Sequence, residues 1–151
     1  MPLVYPVIHL IPHGLVDVIR IHSVADIAEV VRDSHVDNLT SADGRIDFWF
    51  SPSLKESQVP NRRATELLLL ATRFTASSVP LLRGQVVLAS HDSSGRLAGL
   101  TDGCLDQLRM PNMLSWLDHR VLDRRFANDA RARRATSRAG LRRIRGHVGE
   151  G

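Results

Sequence analysis

The chain has 151 residues, a hydrophobic fraction of 43% and a formal net charge of +4, which excludes a disordered or fibrous protein. No apolar run approaches the roughly 20 residues of a membrane span, and the apolar start lacks the basic segment of a signal peptide. Since a lone Cys104 excludes an internal disulfide and fits a reducing compartment, we predict a cytoplasmic protein.

The first fifty residues predict two hairpins with a short helix between them. Two β-rich runs, 4–11 and 15–21, are separated by Pro12-His13-Gly14, which is typical of a turn. Ser23 is a suitable N-cap for the helix that follows. The second hairpin covers residues 36–50, where aromatic and aliphatic residues alternate with polar ones.

The rest of the chain predicts three helices and a third hairpin. Asn61 is a good N-cap for a leucine-rich helix over 62–74, and a hairpin over 85–100 turns at residues 91–95. Thr101 is predicted to cap a short helix that ends at Leu108. A long helix is then predicted from Asn112 to Ala139, with Gly140 as its stop.

This order of elements predicts an α+β fold. We expect an antiparallel or mixed sheet from three hairpins with two packed helices, plus a long C-terminal basic helix. The predicted domains are an α+β domain at 1–110, the long helix at 111–139 and a basic, disordered tail at 140–151. Five apolar residues of the long helix are expected to dock on the core: Leu114, Leu117, Val121, Leu122 and Phe126.

Short motifs in the middle of the chain carry a resemblance. They are Asn61-Arg-Arg-Ala-Thr65, Leu82-Arg-Gly-Gln-Val-Val87 and Asp92-Ser-Ser-Gly-Arg-Leu-Ala-Gly-Leu-Thr101. These segments resemble small conserved proteins of unknown function from mycobacteria and related actinobacteria, and a domain of unknown function common in phages and plasmids. The motifs consist of cap, turn and strand residues, so the resemblance implies a shared fold and no particular activity, cofactor or catalytic residue.

Several residue patterns resemble catalytic or metal sites, but each has a simpler structural interpretation. His9 and His13 are four residues apart, but Pro6, Pro12 and Gly14 forbid a helix there, and on a strand the pair would lie roughly 13 Å apart. The remaining candidates each have a simpler role. His91-Asp92-Ser93-Ser94 is typical of a tight turn rather than of a triad, Asp43 and Asp47 flank another turn, and Cys104 is a small semi-buried residue. We therefore predict no catalytic residue, no metal site and no cofactor.

The C-terminal end carries the one pattern that indicates a function. From Asp118 onward there are ten arginines and four acidic residues. At 100° per residue, seven of the arginines fall within a sector of about 80°, and only Arg120 has an acid at pairing distance, Asp123. An uncompensated cationic stripe indicates an anionic partner. The predicted nucleic-acid-binding residues are Arg120, Arg124, Arg131, Arg134, Arg138, Arg142, Arg143 and Arg145.

Two hypotheses follow from these patterns. The first is a non-enzymatic accessory protein that binds nucleic acid or a ribonucleoprotein through the arginine-rich helix. The alternative is a protein-binding regulator, of phage origin, that acts through the α+β domain. For the helix itself, an acidic protein partner, an anionic membrane surface and a merely solvated extension stay open. The oligomeric state and the choice between RNA and DNA are not determined by the sequence.

Overall fold

The computed structural model describes residues 3–14, 16–52, 58–109 and 114–148, with side chains as far as Arg143. The chain divides into two compact units, Met1–Leu114 and Ser115–Gly151. The first unit contains an antiparallel sheet with three helices, and the second is a single long helix. The predicted α+β class is confirmed.

The sheet of the first unit is built from six described strands. Every pairing in it is antiparallel, and the strand order is β2-β1-β5-β4-β3, with β6 paired to β5. All three predicted hairpins are present. The strands are β1 (Tyr5–Leu10), β2 (Val16–Ile21), β3 (Asp37–Thr40), β4 (Asp47–Phe50), β5 (Val86–His91) and β6 (Leu97–Ala98).

Strand β5 lies in the middle of the sheet and joins the first two hairpins. Leu88 on this strand lies opposite Ile8 of β1 on one side and Phe48 of β4 on the other. All three side chains are fully buried. The run of apolar residues in β5 has the composition of a strand that is covered on both faces. The sheet is therefore completed by its fifth strand, far along the chain from the strands it connects.

Helix α1 covers one face of this sheet, and side chains on the opposite face are also buried. Helix α1 (Val24–Val31) contributes Ile27 and Val31 to a buried cluster with Val7 and Val87. Because side chains alternate along a strand, Ile8, Phe48 and Leu88 point to the opposite face. The short helix α3 (Asp102–Arg109) begins as predicted, with the Cys104 N–H donating to the Thr101 hydroxyl at 3.2 Å.

Helix α2 (Arg62–Ala71) ends three residues before the predicted position. Its last carbonyl, that of Ala71, accepts a hydrogen bond of 2.8 Å from the N–H of Ala42 in the turn between β3 and β4. Thr72 then takes an extended conformation, and Phe74, which was predicted to be the last residue of the helix, is 38% exposed. A tertiary contact therefore sets the end of this helix.

Helix α4 (Trp116–Val148) differs from its predicted bounds. The predicted start at Asn112 lies outside the described residues. The helix continues through Gly140, where a stop and a disordered tail were predicted, and Gly140 does not adopt the positive φ of a C-terminal glycine cap. Glycine inside a helix costs about 1 kcal/mol relative to alanine but keeps its backbone hydrogen bonds, so it does not by itself end the helix. Leu117 was expected to be buried but is 66% exposed, since it lies about 140° around the helix from the buried Leu122.

Candidate functional site

The predicted arginine stripe lies on helix α4 and faces solvent. Arg143 is exposed, and so are the six stripe members whose side chains are described: Arg120, Arg124, Arg131, Arg134, Arg138 and Arg142. The backbone of Arg145 is also helical, but its side chain lies outside the described residues. Arg143 lies off the stripe, about 100° from Arg142 on the helix.

The helical arrangement of α4 separates the stripe from its buried side. At 100° per residue, the centre of the stripe lies about 160° from Leu122, which is fully buried. From Arg120 to Arg142 the helix rises about 33 Å, at 1.5 Å per residue. A row of exposed cations therefore extends along one side of the helix for about six turns.

Two arginines of the stripe make contacts within the helix. The Arg120 guanidinium lies 4.9 Å from the ring centroid of Trp116, and the Arg134 Nε donates to the Ala130 carbonyl at 3.3 Å. Neither contact neutralises the charge. The other stripe side chains that are described form no hydrogen bond or ion pair with any described residue.

Arg133 shows what a structural arginine of this helix looks like. It lies off the stripe, and its Nε donates to Asp129 at 2.8 Å, four residues earlier. Both side chains are mostly covered, at 29% and 12% exposure. The helix therefore pairs its half-buried Arg133 with an acid, whereas the described side chains of the stripe have no acid in bonding contact.

The middle of the stripe also has a concave surface. Arg131, Arg134, Ala135 and Arg138 border an open hollow of about 380 Å³ on the helix surface. The hollow lies among three arginine side chains, which leaves room for an anionic group between the cations. Guanidinium groups suit phosphate oxygens, which they can contact with two parallel hydrogen bonds.

The histidines near the first hairpin are occupied by structural hydrogen bonds. His9 Nε2 lies 2.6 Å from Gln85 Oε1, and His22 Nδ1 lies 3.2 Å from the Leu3 carbonyl. His13 is exposed in the turn. Among the described residues, no three His, Cys, Asp or Glu side chains are grouped so that they could hold a metal ion.

The segment His91 to Gly95 is a turn held by Asp92. Asp92 Oδ1 accepts hydrogen bonds from the hydroxyl of Ser94 at 2.7 Å and from the backbone N–H of Arg96 at 3.0 Å. These bonds lower the pKa of the Asp92 carboxyl below its ordinary value, with the Ser94 hydroxyl as the largest cause. Asp43 has a similar role in the turn between β3 and β4, where the Ser41 hydroxyl is the main cause of its lowered pKa.

His91 does not pair with its neighbour Asp92 but with Asp47. The distance from His91 Nδ1 to Asp47 Oδ2 is 2.7 Å, and the two residues are 44 positions apart. Asp47 is 4% exposed, and its other oxygen accepts the hydroxyl of Thr40 at 2.7 Å. The sequence gives no local signal for this pair, because only the register of three strands brings these side chains together.

Comparisons with known proteins do not assign the chain to a family. No protein-family model, curated protein or solved structure matches the chain. The resemblance described for residues 61–101 therefore stays a prediction. Among the described helices, none has the length and apolar character needed to cross a membrane.

Proposed function

We propose that this chain is a cytoplasmic, non-enzymatic accessory protein that binds nucleic acid through the arginine stripe of helix α4. The observation that carries this proposal is the row of exposed arginines, six of them with described side chains, on the side of the helix away from Leu122. None of those six has an acidic partner among the described residues.

The spacing of the stripe supports a partner with regularly repeated negative charges. From Arg131 to Arg142 the stripe members are three or four residues apart, which is about 4.5 to 6 Å along the helix axis. Two cations 6 Å apart repel each other by about 0.7 kcal/mol in water before screening by salt. Phosphates along a nucleic acid would relieve this repulsion and release their own counterions, which supplies affinity.

The shape of the helix is also suited to nucleic acid. An α-helix is about 10–12 Å across with its side chains, close to the width of the major groove of B-form DNA. The Trp116 ring already lies under Arg120, and no aromatic residue follows Phe126 in the sequence. Binding is therefore expected to depend on charge and shape, with little base-specific readout.

The proposal is tested by fluorescence anisotropy with labelled RNA and DNA over a salt series. The variant carries Arg131→Gln, Arg134→Gln and Arg138→Gln in the full chain. We expect weaker binding and a slope of log K against log salt that is shallower by about 2 to 3, since each lost phosphate contact contributes about 0.7 to 0.9.

A matched control removes three charges elsewhere. Arg20→Gln, Arg45→Gln and Arg96→Gln change exposed residues of the first unit and lower the net charge by the same amount. We expect the control to keep the salt slope of the unaltered chain. Equal losses in both triple variants would show that net charge alone attracts the probe, and no binding by the unaltered chain would overturn the proposal and favour protein partners of the first unit.

A further inference from the structure

A cavity in the first unit lies on the same face of the sheet as helix α1, beyond the end of the buried cluster. It has a volume of about 270 Å³. Asp47 and His91 line it together with Trp49 of β4, Val24 at the start of α1 and Leu97 of β6. The cavity is open to solvent and combines these apolar side chains with the buried Asp47 and the half-exposed His91. The rest of its lining is mostly polar: Asn38, Thr40, Ser90 and Gly95.

The hydrogen bonds of Asp47 determine how His91 is presented. An ionised carboxylate only accepts hydrogen bonds, so the 2.7 Å contact places a proton on His91 Nδ1. In the neutral ring, Nε2 is then an acceptor. Nε2 forms no bond with a described residue, and the His91 side chain is 35% exposed. The pair therefore offers one oriented acceptor at the cavity wall.

Thr40 fixes the other side of this arrangement. Its hydroxyl donates to Asp47 Oδ1 at 2.7 Å, so each carboxylate oxygen has one partner and the carboxylate cannot easily rotate. An aspartate that is 4% exposed and held by two side chains from neighbouring strands is well suited to orient an imidazole.

A second, independent feature is found in the same wall. The indole Nε1 of Trp49 is buried and has no acceptor among the described residues. Purely structural positions in a protein interior nearly always pair such a donor, because a buried unpaired donor is unfavourable. Because the indole nitrogen is itself inaccessible, Trp49 contributes its ring surface, and not its N–H, to the wall of the cavity.

The lining of the cavity limits the chemistry of a ligand. Among the described residues, no lysine or arginine lines it, and Asp47 is a carboxylate, so an anion would find no countercharge there. Val24, Trp49 and Leu97 offer apolar surface. For size, an apolar cavity of about 150 Å³ is known to accept benzene, so about 270 Å³ has room for one substituted ring.

We propose that this cavity is a binding site for a small uncharged molecule of about one ring in size, which carries a hydroxyl or N–H group that donates to His91 Nε2. The ring lies against Trp49 and Leu97, and Asp47 holds the imidazole in the accepting tautomer. This site is separate from the arginine stripe, and neither proposal depends on the other.

Phenol and anisole are a matched pair of probes for this proposal. Both have an aromatic ring with one oxygen, but only phenol can donate a hydrogen bond. We expect phenol to cause saturable shifts in the ¹H–¹⁵N NMR signals of Trp49 and His91, and anisole to bind about tenfold more weakly, as loss of one hydrogen bond predicts. The ¹⁵N signal of His91 Nε2 should move with phenol, while that of His9 Nε2, which is paired with Gln85, should not.

Two full-chain variants complete the test. His91→Ala should reduce phenol affinity about tenfold, to the level of anisole. The control His35→Ala removes an exposed histidine outside the cavity and should leave affinity unchanged. Three results with the unaltered chain would each overturn the proposal: equal binding of phenol and anisole, no saturable shift, or an unmoved Nε2 signal. These three results do not depend on whether the His91 variant folds.

Discussion

The sheet-bearing unit and helix α4 are organised by different kinds of contact. In the first unit, Leu88 of β5 is buried opposite Ile8 and Phe48, residues that are 80 and 40 positions away in the chain. The contacts identified within α4 link residues three or four positions apart, as between Asp129 and Arg133. The first unit is thus defined by long-range packing, and the long helix by local hydrogen bonds.

This difference explains why one candidate site can be predicted from the sequence and the other cannot. The arginine stripe depends only on helical periodicity, so residue spacing is enough to locate it. The Asp47–His91 cavity depends on strand register, which joins residues 44 positions apart. A site on an isolated helix is visible in the sequence, whereas a site on a sheet becomes visible only in the folded unit.

The largest loss of stability is expected from Asn61→Ala, which removes a buried polar side chain that the long-range packing of the first unit depends on. The Asn61 side chain is fully buried. It accepts from the Ala64 N–H and donates to the carbonyls of Leu10 and Gly84 at 3.0 and 2.9 Å. The substitution removes the helix cap and leaves two carbonyls without a hydrogen-bond donor. It should lower the free energy of unfolding by about 3 kcal/mol or more, measured by urea denaturation.

A matched control for this prediction is Asn38→Ala, an exposed asparagine of β3 in the same unit. It should change the free energy of unfolding by no more than about 0.5 kcal/mol. If Asn61→Ala were as mild as the control, Asn61 would not be the residue that ties α2 to the sheet.

A smaller effect on stability is expected from Gly140→Ala, which tests whether the stability of α4 is independent of the first unit. Gly140 lies inside the helix, and a methyl group there would meet nothing within 4 Å. Alanine should favour the helix by about 1 kcal/mol and raise the helical signal in circular dichroism, without moving the unfolding transition of the first unit.

Gly103→Ala is the same substitution in the other region. Gly103 is part of α3, and a methyl group there is also uncrowded. Because α3 belongs to the first unit, this change should raise the thermal midpoint of that unit, by about 4 °C for each 1 kcal/mol. A shift of that transition by Gly140→Ala as well would contradict the separation of local and long-range stability.

The smallest effect on stability is expected from a change in pH, which acts through the turn aspartates of the first unit. Hydrogen bonds from Ser94 and the Arg96 N–H lower the pKa of folded Asp92, so the carboxylate stabilises the fold above its unfolded pKa. That contribution is lost as the pH falls below about 4, through the folded pKa. Ser94→Ala should raise the Asp92 pKa toward its ordinary value, as measured by NMR titration of the carboxyl, and an unchanged titration would show that Ser94 is not the cause.

The sequence predicted much of the secondary structure because the signals are local. Asn61 caps α2 through its side chain, as its residue type indicates, and the turn at Asp92 closes with the bonds typical of its sequence. Local signals were wrong at two helix ends. Gly140 is a weak helix former but not a stop without a positive φ, and α2 ends at Ala71 because the Ala42 N–H takes up its carbonyl.

Residue spacing and turn residues are enough to predict the alignment of the stripe arginines and the three hairpins. Both follow from the backbone geometry of neighbouring residues. Strand pairing in the folded unit is needed to make β5 the central strand, to let Asp47 orient His91, and to leave Trp49 with a buried unpaired indole N–H. Those features depend on how distant strands pair, which is set by the packing of the whole unit rather than by any segment of it.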